Sequence, residues 1–167
     1  MGVASWDADD LRLVSNTFVT MFWRTSLLDD TVDRLRSRRY DVVEFDAGSW
    51  ASRADMYDDL AERFDFPDYF GRNLNALNDC MGDIGWDDDA TGLVIVLRSF
   101  DAFAAVDRGT AQSMLDIFAR QARRAILFGN RIICLVQSND PQLSFEPVGA
   151  MPVLWNDAEW ANFRRGL

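Results

Sequence analysis

Short apolar runs along the chain predict the strands of a sheet. Residues 93–97 and 132–136 are almost entirely aliphatic, a pattern that favours central parallel strands covered on both faces. A β-branched and aromatic run at 17–23 and a shorter one at 41–46 predict two further strands. Residues 26–39 between them carry apolar side chains at helical spacing. This stretch therefore predicts a strand–helix–strand unit whose two strands run parallel.

Further helices are predicted where apolar residues recur every three or four positions. Four segments show this spacing, at about 49–64, 73–81, 101–106 and 110–128. Ser26 is expected to cap the first helix of the chain, and Ile126 is expected to face the core from the last one. Gly129 and Asn130 are expected to end that last helix with a left-handed turn.

Together these elements predict an α/β fold, a parallel sheet of about four strands with helices packed on it. A chain of 167 residues is long enough to bury the core of a single domain without disulfides. Residues 12–39 form the predicted N-terminal βα unit of that domain, which we call the N-terminal extension. Residues 139–167 contain three of the four prolines, which predicts an irregular tail.

The formal net charge of −10 is concentrated in one part of the chain. Residues 55–89 carry eleven Asp or Glu and two Arg, and therefore −9 of the total. Such an acidic stretch repels phosphate backbones, so direct nucleic-acid binding is disfavoured, whereas a basic protein partner suits it. Charge alone also allows a second interpretation, in which the acids only keep the protein soluble.

Most catalytic and cofactor-binding arrangements are excluded by what the sequence lacks. No histidine occurs, which removes serine and cysteine triads, His-based acid–base catalysis and most zinc sites. Phosphate-binding glycine loops and the nucleophile-elbow motif are absent as well. A carboxylate pair is the remaining option for an enzyme, but among 27 acids some pair always lies close. We therefore expect a binding protein with no enzyme activity, no cofactor and no metal.

The cysteine pattern and the N-terminus predict a cytoplasmic protein. Cys80 and Cys134 both lie in apolar patterns, which favours reduced, buried thiols over a disulfide. The N-terminus shows no basic region followed by an apolar core, and no run of 18 apolar residues indicates a membrane span. Secretion and membrane insertion are therefore not expected.

A loop followed by a short helix, residues 65–86, is the best candidate for a binding site. Pro67 excludes a regular helix and Gly71 is free to adopt positive φ, so an irregular loop is predicted before Asn73, the expected N-cap. On a helical wheel, the residues that follow separate into an apolar arc and a polar arc. The polar arc consists of Asn75, Asn78, Asp79 and Gly82.

This polar arc permits two interpretations. A short amphipathic helix normally presents such a face to solvent without further function. Here the side chains are short and lose little entropy when a partner immobilises them, and aromatic residues of the kind that anchor interfaces lie nearby. A protein-binding surface is therefore predicted from ten residues, namely Tyr69, Phe70, Gly71, Asn73, Asn75, Asn78, Asp79, Gly82, Asp83 and Trp86.

Residues 67–79 also carry the pattern proline, acid, tyrosine, aromatic, glycine, any residue, asparagine, leucine, any, alanine, leucine, any, aspartate. This pattern resembles the signature of the barstar family, small intracellular proteins that inhibit secreted ribonucleases of the barnase type. By the order of elements, the resemblance extends over about 40–138. It implies a barstar-like fold and no cofactor. It also implies that the chain is a monomer and binds a basic secreted ribonuclease or related toxin in a one-to-one complex. It also implies that Asp79 is the critical carboxylate and Tyr69 a contacting tyrosine.

Three positions depart from the pattern of that family. The family typically has an acid where this chain has Asn75, an aromatic residue where it has Asn78, and another contacting acid where it has Arg120. The predicted interface is therefore less negative at its centre, which indicates a different cognate enzyme or weaker binding to barnase-type ribonucleases. The alternative is an immunity or adaptor protein of the same fold that binds a non-ribonuclease toxin or another protein. That alternative would use three tryptophans of the flanking segments, Trp6, Trp155 and Trp160.

Overall fold

The computed structural model describes residues 8–85 and 87–160, and its centre is a sheet of five parallel strands. In chain order the strands are β1 Val19–Phe22, β2 Tyr40–Asp46, β3 Gly92–Arg98, β4 Ile132–Gln137 and β5 Leu154–Trp155. Side by side they follow the order β2, β3, β4, β1, β5, and every pairing is parallel. The predicted α/β class is confirmed, with one strand more than the four expected.

Helices connect and flank the strands. In the described residues they are α1 Ala8–Val14, α2 Thr25–Ser37, α3 Arg53–Arg63, α4 Leu74–Gly82, α5 Phe100–Val106, α6 Arg108–Leu127 and α7 Asp157–Trp160. A single turn of 3-10 helix, Ala47–Ser49, precedes α3. None of these helices has the length and apolar character that a bilayer crossing requires.

Both faces of the sheet are covered by helices. Along β3, Ile95 and Leu97 point into a large core formed with α3, α4, α5 and α6, whereas Val94 and Val96 point into a smaller core formed with α1 and α2. Side chains of a strand alternate between the two faces, so an unbroken apolar run is fully buried only when both faces are covered. All four side chains are inaccessible to solvent, as the pattern predicted.

Strand β1 lies between β4 and β5 and not beside β2. The two strands of the N-terminal strand–helix–strand unit are parallel, as predicted, but β3 and β4 separate them. β1 aligns with β4 through four residue pairs, from Val19 opposite Cys134 to Phe22 opposite Gln137. The N-terminal extension is therefore built into the same sheet as the strands of residues 40–138.

The tail is more regular than its prolines indicated. β5 extends the sheet beside β1, and the N–H of Asn156 donates to the carbonyl oxygen of Met21 at 2.8 Å. The buried carboxylate of Glu159, on α7, accepts from the N–H groups of Trp23 and Arg24 through its Oε1, at 3.1 and 3.0 Å. A two-residue strand leaves no periodicity in a sequence, so the pattern of the tail carried no signal for it.

Two local predictions about helix ends and faces are wrong. Helix α2 begins at Thr25 with Arg24 at its N-cap, so Ser26 lies inside the helix and does not cap it. Ile126 is 45% exposed, because Ala125 is the residue of the last turn of α6 that reaches the core. The predicted stop at Gly129 is confirmed by its φ of +76°.

Candidate functional site

The loop between α3 and α4 is fixed by its backbone and by packed rings. The N–H of Phe66 donates to the carbonyl oxygen of Ala61 at 2.9 Å, which ties the loop to the end of α3. The ring of Phe70 packs against the rings of Tyr57 and Phe66, with centroids 6.0 and 5.0 Å apart. Phe70, one of the predicted binding residues, is therefore half-buried and holds the loop in place.

Tyr69 points away from the same loop. It is 87% exposed, more than any other large apolar residue in the described part of the chain. Adjacent aromatic residues thus have different roles, one packed inward and one presented to solvent. Trp86, the other aromatic residue expected on this surface, lies outside the described residues.

The loop turns sharply at Arg72 and not at Gly71. Arg72 has a φ of +49° and Asp65, at the other end of the loop, has a φ of +53°, whereas φ of Gly71 is not positive. Gly71 therefore does not use its freedom to adopt positive φ, but a Cβ at this position would lie 3.1 Å from Nδ2 of Asn73. An ion pair between the side chains of Arg72 and Asp58 supports the left-handed residue.

Asn73 caps α4, as predicted. Its Oδ1 accepts from the N–H of Ala76 at 2.8 Å, and its Nδ2 donates to the carbonyl oxygen of Gly71 at 3.1 Å. Leu77 and Met81, on the apolar arc, are buried. The helix is thus anchored at its start and along one side, so its outer side chains are presented on a rigid backbone.

One stripe of α4 and its end faces solvent. Asn75, Asp79 and Asp83 follow one another at four-residue intervals, and all three are exposed. Among the residues that the structure describes, the carboxylates of Asp79 and Asp83 have neither a hydrogen-bond donor nor a cation as partner. Burial raises the pKa of the neighbouring Cys80 thiol, and the charges of Asp83 and Asp79 raise it further. We call Asn75, Asp79 and Asp83 the acidic stripe.

The rest of the polar arc packs against α6. Gln121 donates through Nε2 to Oδ1 of Asn78 at 3.2 Å and to its carbonyl oxygen at 3.3 Å. A Cβ on Gly82 would lie 3.1 Å from a guanidinium nitrogen of Arg124. Asn78 and Gly82 therefore belong to a helix–helix contact, and half of the arc is open. The contact made by Gln121 was not predicted from the sequence. A usable signal was present, because a polar residue three positions after the core residue Phe118 lies on the buried face of α6 and needs a hydrogen-bond partner there.

Some acids of the segment 55–89 are paired and others are not. Asp58 pairs with Arg72, and Oδ1 of Asp59 lies 2.9 Å from Nε of Arg63. Five exposed carboxylates on the end of α3, the loop and α4 have no partner among the described residues, namely Glu62, Asp65, Asp68, Asp79 and Asp83. Uncompensated negative charge is therefore concentrated on the end of α3, the loop that carries Tyr69, and α4.

Comparison with known proteins identifies the family. The family model described as "Barstar (barnase inhibitor)" matches residues 40–137, which are 98 of the 167 residues. The chain belongs to the barstar family. Its barstar region begins with β2 and ends with β4, so β1 and β5, at one side of the sheet, lie outside the match.

A curated relative carries the name of a ribonuclease inhibitor. The "Putative ribonuclease inhibitor YrdF" of Bacillus subtilis (strain 168) is 50% identical over 46 residues. This stretch covers 28% of the present chain and 46% of the relative, so the chain spans less than half the length of the curated relative that it matches. The description of the family and the name of this relative both refer to inhibition of a ribonuclease.

A solved structure also aligns with most of the chain. It is described as "Structure of Drosophila ORC bound to AT-rich DNA and Cdc6", and the alignment covers 94% of this chain and 56% of the other. The sequences are 15% identical and the TM-score is 0.47, a level of similarity that carries no argument about function.

The positions that depart from the barstar pattern lie together in a groove between α4 and α6. The groove has a volume of about 360 Å³ and is lined by Asn75 and Asn78 on one side and by Arg120 on the other. Arg120 pairs with Asp116, with Nε and Oδ2 3.0 Å apart. The barstar-family surface of this chain therefore combines an acidic stripe with a groove that lacks excess negative charge.

Proposed function

We propose that this chain is an intracellular inhibitor of a secreted ribonuclease of the barnase type, whose active site it blocks one-to-one with the loop 65–72 and α4. The observation that carries the proposal is the carboxylate of Asp79. It is exposed and has no partner among the described residues, although α4 itself is held by a cap and a buried face. An ionised carboxylate presented in this way is ready to accept hydrogen bonds from a cationic partner.

Asp79 takes the place of a substrate phosphate. A ribonuclease active site holds phosphates with Arg and Lys, and a carboxylate accepts the same charge-assisted hydrogen bonds. α4 presents the carboxylate rigidly, because Asn73 fixes its first turn and Leu77 fixes its buried side. Little conformational entropy is lost on binding, so most of the electrostatic gain is retained.

The surrounding charge brings the two proteins together. Residues 55–89 hold −9 of the net charge, and a cationic cleft is attracted to them over about 8 Å at physiological salt. Such steering raises the association rate more than it lowers the dissociation rate. Added salt should therefore slow association strongly.

Tyr69 supplies the apolar part of the contact. A tyrosine that is 87% exposed offers a large ring with a polar tip, which suits the border of a wet cleft. Phe70 holds the loop behind it. Four of the other predicted residues, Gly71, Asn73, Asn78 and Gly82, shape the surface by positioning the loop and the helix.

The loss of Asp79 should be easy to measure. Truncating a desolvated charge at the centre of an interface typically weakens binding by about 2 kcal/mol or more. That scale comes from measured charge pairs, among them the complex of barnase with barstar. A change of about 2 kcal/mol corresponds to a roughly thirty-fold weaker complex.

The proposal is tested by titrating purified wild type, Asp79→Ala and Asp30→Ala against a panel of barnase-type ribonucleases, with RNA cleavage as the readout. Asp30 is an exposed acid of α2, on the opposite face of the sheet, and serves as the control. We expect the wild type and Asp30→Ala to inhibit at one equivalent, and Asp79→Ala to inhibit more weakly, by roughly thirty-fold or more. No inhibition of any ribonuclease by the wild type would contradict the target, and undiminished inhibition by Asp79→Ala would contradict the site.

A partner other than a ribonuclease is the second candidate. Arg120 favours it, because a cation lies in the groove beside Asn75, where the family pattern implies a contacting acid. Capture of a non-nuclease toxin by the wild type, and not by Asp79→Ala, would replace the ribonuclease by that toxin as the partner.

A further inference from the structure

The C-terminal end of α6 presents a run of apolar side chains to solvent. Ile126, Leu127 and Phe128 are 45%, 80% and 70% exposed. The other exposed large apolar residues of the described chain stand singly, at Tyr69, Val106 and Leu154. Single exposed apolar residues are normal on a protein surface, whereas a contiguous exposed run marks an interaction site or an aggregation hazard.

This apolar run stands on a rigid helix end. The N–H of Asn130 donates to the carbonyl oxygen of Ala125 at 2.8 Å, and the N–H of Gly129 donates to that of Ile126 at 3.1 Å. With Gly129 at a φ of +76°, these bonds form a Schellman ending. The backbone that carries Leu127 is therefore fixed before any partner arrives, which reduces the entropy lost on binding.

A shallow groove runs between this helix end and the end of α4, next to the acidic stripe. Its volume is about 210 Å³, and it is bordered by Gly82 and Ile84 at the end of α4 and by Arg124 and Phe128 at the end of α6. Asp83 of the acidic stripe lies between Gly82 and Ile84 in the chain. A protein that covers the acidic stripe therefore reaches the groove and Phe128 with a continuous surface.

The charge around the apolar run is opposite to that of the acidic stripe. Cζ of Arg124 lies 5.8 Å from the centre of the Phe128 ring, and this guanidinium has no carboxylate partner among the described residues. Arg123, next to it, is also exposed. The end of α6 is thus apolar and basic, and it complements a surface that is apolar and acidic.

We infer, on the basis of the proposed function, that the end of α6 is a second contact with the same ribonuclease, made to an apolar and acidic surface beside its cationic cleft. Asp79 contacts the phosphate-binding cations that all such enzymes need. Residues 126–128 with Arg124 contact the rim of the cleft, where the enzymes are free to differ. The second contact therefore selects the cognate ribonuclease, and Asp79 blocks the active site of that enzyme.

The experiment measures the binding of purified variants to a barnase-type ribonuclease that the wild type inhibits. The variants are Asp79→Asn, the double variant Leu127→Ser with Phe128→Ser, Arg124→Glu and Leu154→Ser. Leu154 is the matched control, since it is 38% exposed and lines a cavity beside α1 and α2, on the other face of the sheet. Thermal unfolding checks that each variant keeps its fold. We expect no loss of fold, because the replaced side chains are exposed.

We expect the double variant to dissociate at least about tenfold faster with an unchanged salt dependence, because apolar contacts act mainly on dissociation. Arg124→Glu should also bind more weakly, and Leu154→Ser should bind like the wild type. Wild-type affinity in the double variant would overturn the second contact and leave the proposed function intact. The second contact would also be overturned if the wild type formed a dimer, the double variant did not, and the two bound the ribonuclease equally well. No inhibition by the wild type would instead remove the proposed function and, with it, this inference.

Discussion

Replacing Asp79 by Asn should weaken ribonuclease binding and stabilise the free protein at the same time. The substitution keeps the shape of the side chain and removes its charge. The carboxylate of Asp79 is exposed and has no partner among the described residues, so neutralising it breaks no contact of the free protein. If the carboxylate had a structural role, the same change would lower the stability of the free protein.

The gain in stability follows from the position of Asp79 in α4. It lies in the last turn, where unpaired carbonyl groups give the helix end a partial negative charge, and Asp83 follows four residues later. An acid near a helix C-terminus and a like charge at this spacing each destabilise by a few tenths of a kcal/mol. The free energy of unfolding should therefore rise by about 0.5–1 kcal/mol at low salt, and Tm by about 1–4 °C.

Urea unfolding at low and high salt measures the gain, which should shrink as salt screens the charges. Titration of the ribonuclease measures the loss of affinity, expected to be roughly thirty-fold or more. Asp30→Asn is the control, because it removes an exposed carboxylate from α2 and should leave affinity unchanged. Asp79→Asn with reduced stability, or with the affinity of the wild type, would refute the assignment of a binding role.

Three further changes test other parts of the molecule. Glu159→Ala should lower the free energy of unfolding in urea by about 1–3 kcal/mol, because two backbone N–H groups at the start of α2 lose their acceptor, whereas Glu159→Gln keeps an oxygen there and should cost less. The hydrogen bond from the Thr110 backbone lowers the pKa of Asp107, so the stability from this N-cap is present above about pH 4 and is lost as pH falls through the lowered pKa. Asp107→Ala should therefore cost about 1 kcal/mol at pH 7 and progressively less below about pH 4 when unfolding is followed across pH. Asn75→Asp combined with Arg120→Glu should tighten binding to barnase-type ribonucleases by about tenfold, and an unchanged inhibition constant would show that these departures do not set the choice of partner.

Sequence patterns predicted the elements whose signals are local. Asn73 and the N–H that it accepts from are three residues apart, so the cap of α4 could be recognised without any knowledge of the fold. Residues 93–97 and 132–136 are unbroken apolar runs because helices bury both faces of the sheet. The signature over 67–79 likewise placed the loop and α4 together. Each of these predictions depended on neighbours in the chain.

Patterns could not show which distant element covers a given side chain. A helical wheel assigns Asn78 and Gly82 to the same polar arc as Asp79, but α6 lies over the first two and leaves the third open. Tyr69 and Phe70 are equally aromatic in the sequence, yet the ring contacts of the loop bury one and expose the other. The place of β1 between β4 and β5 has the same origin, since it is decided by packing across the whole sheet.

Competition with a nucleotide tests most directly whether Asp79 occupies the place of a phosphate. A mononucleotide bound in the ribonuclease active site must leave before the inhibitor can bind, because both need the same cations. We predict that the apparent Kd of the inhibitor rises in proportion to nucleotide concentration once that concentration exceeds the Kd of the nucleotide. An inhibitor that binds with unchanged Kd to a ribonuclease saturated with nucleotide would contradict the proposed mechanism.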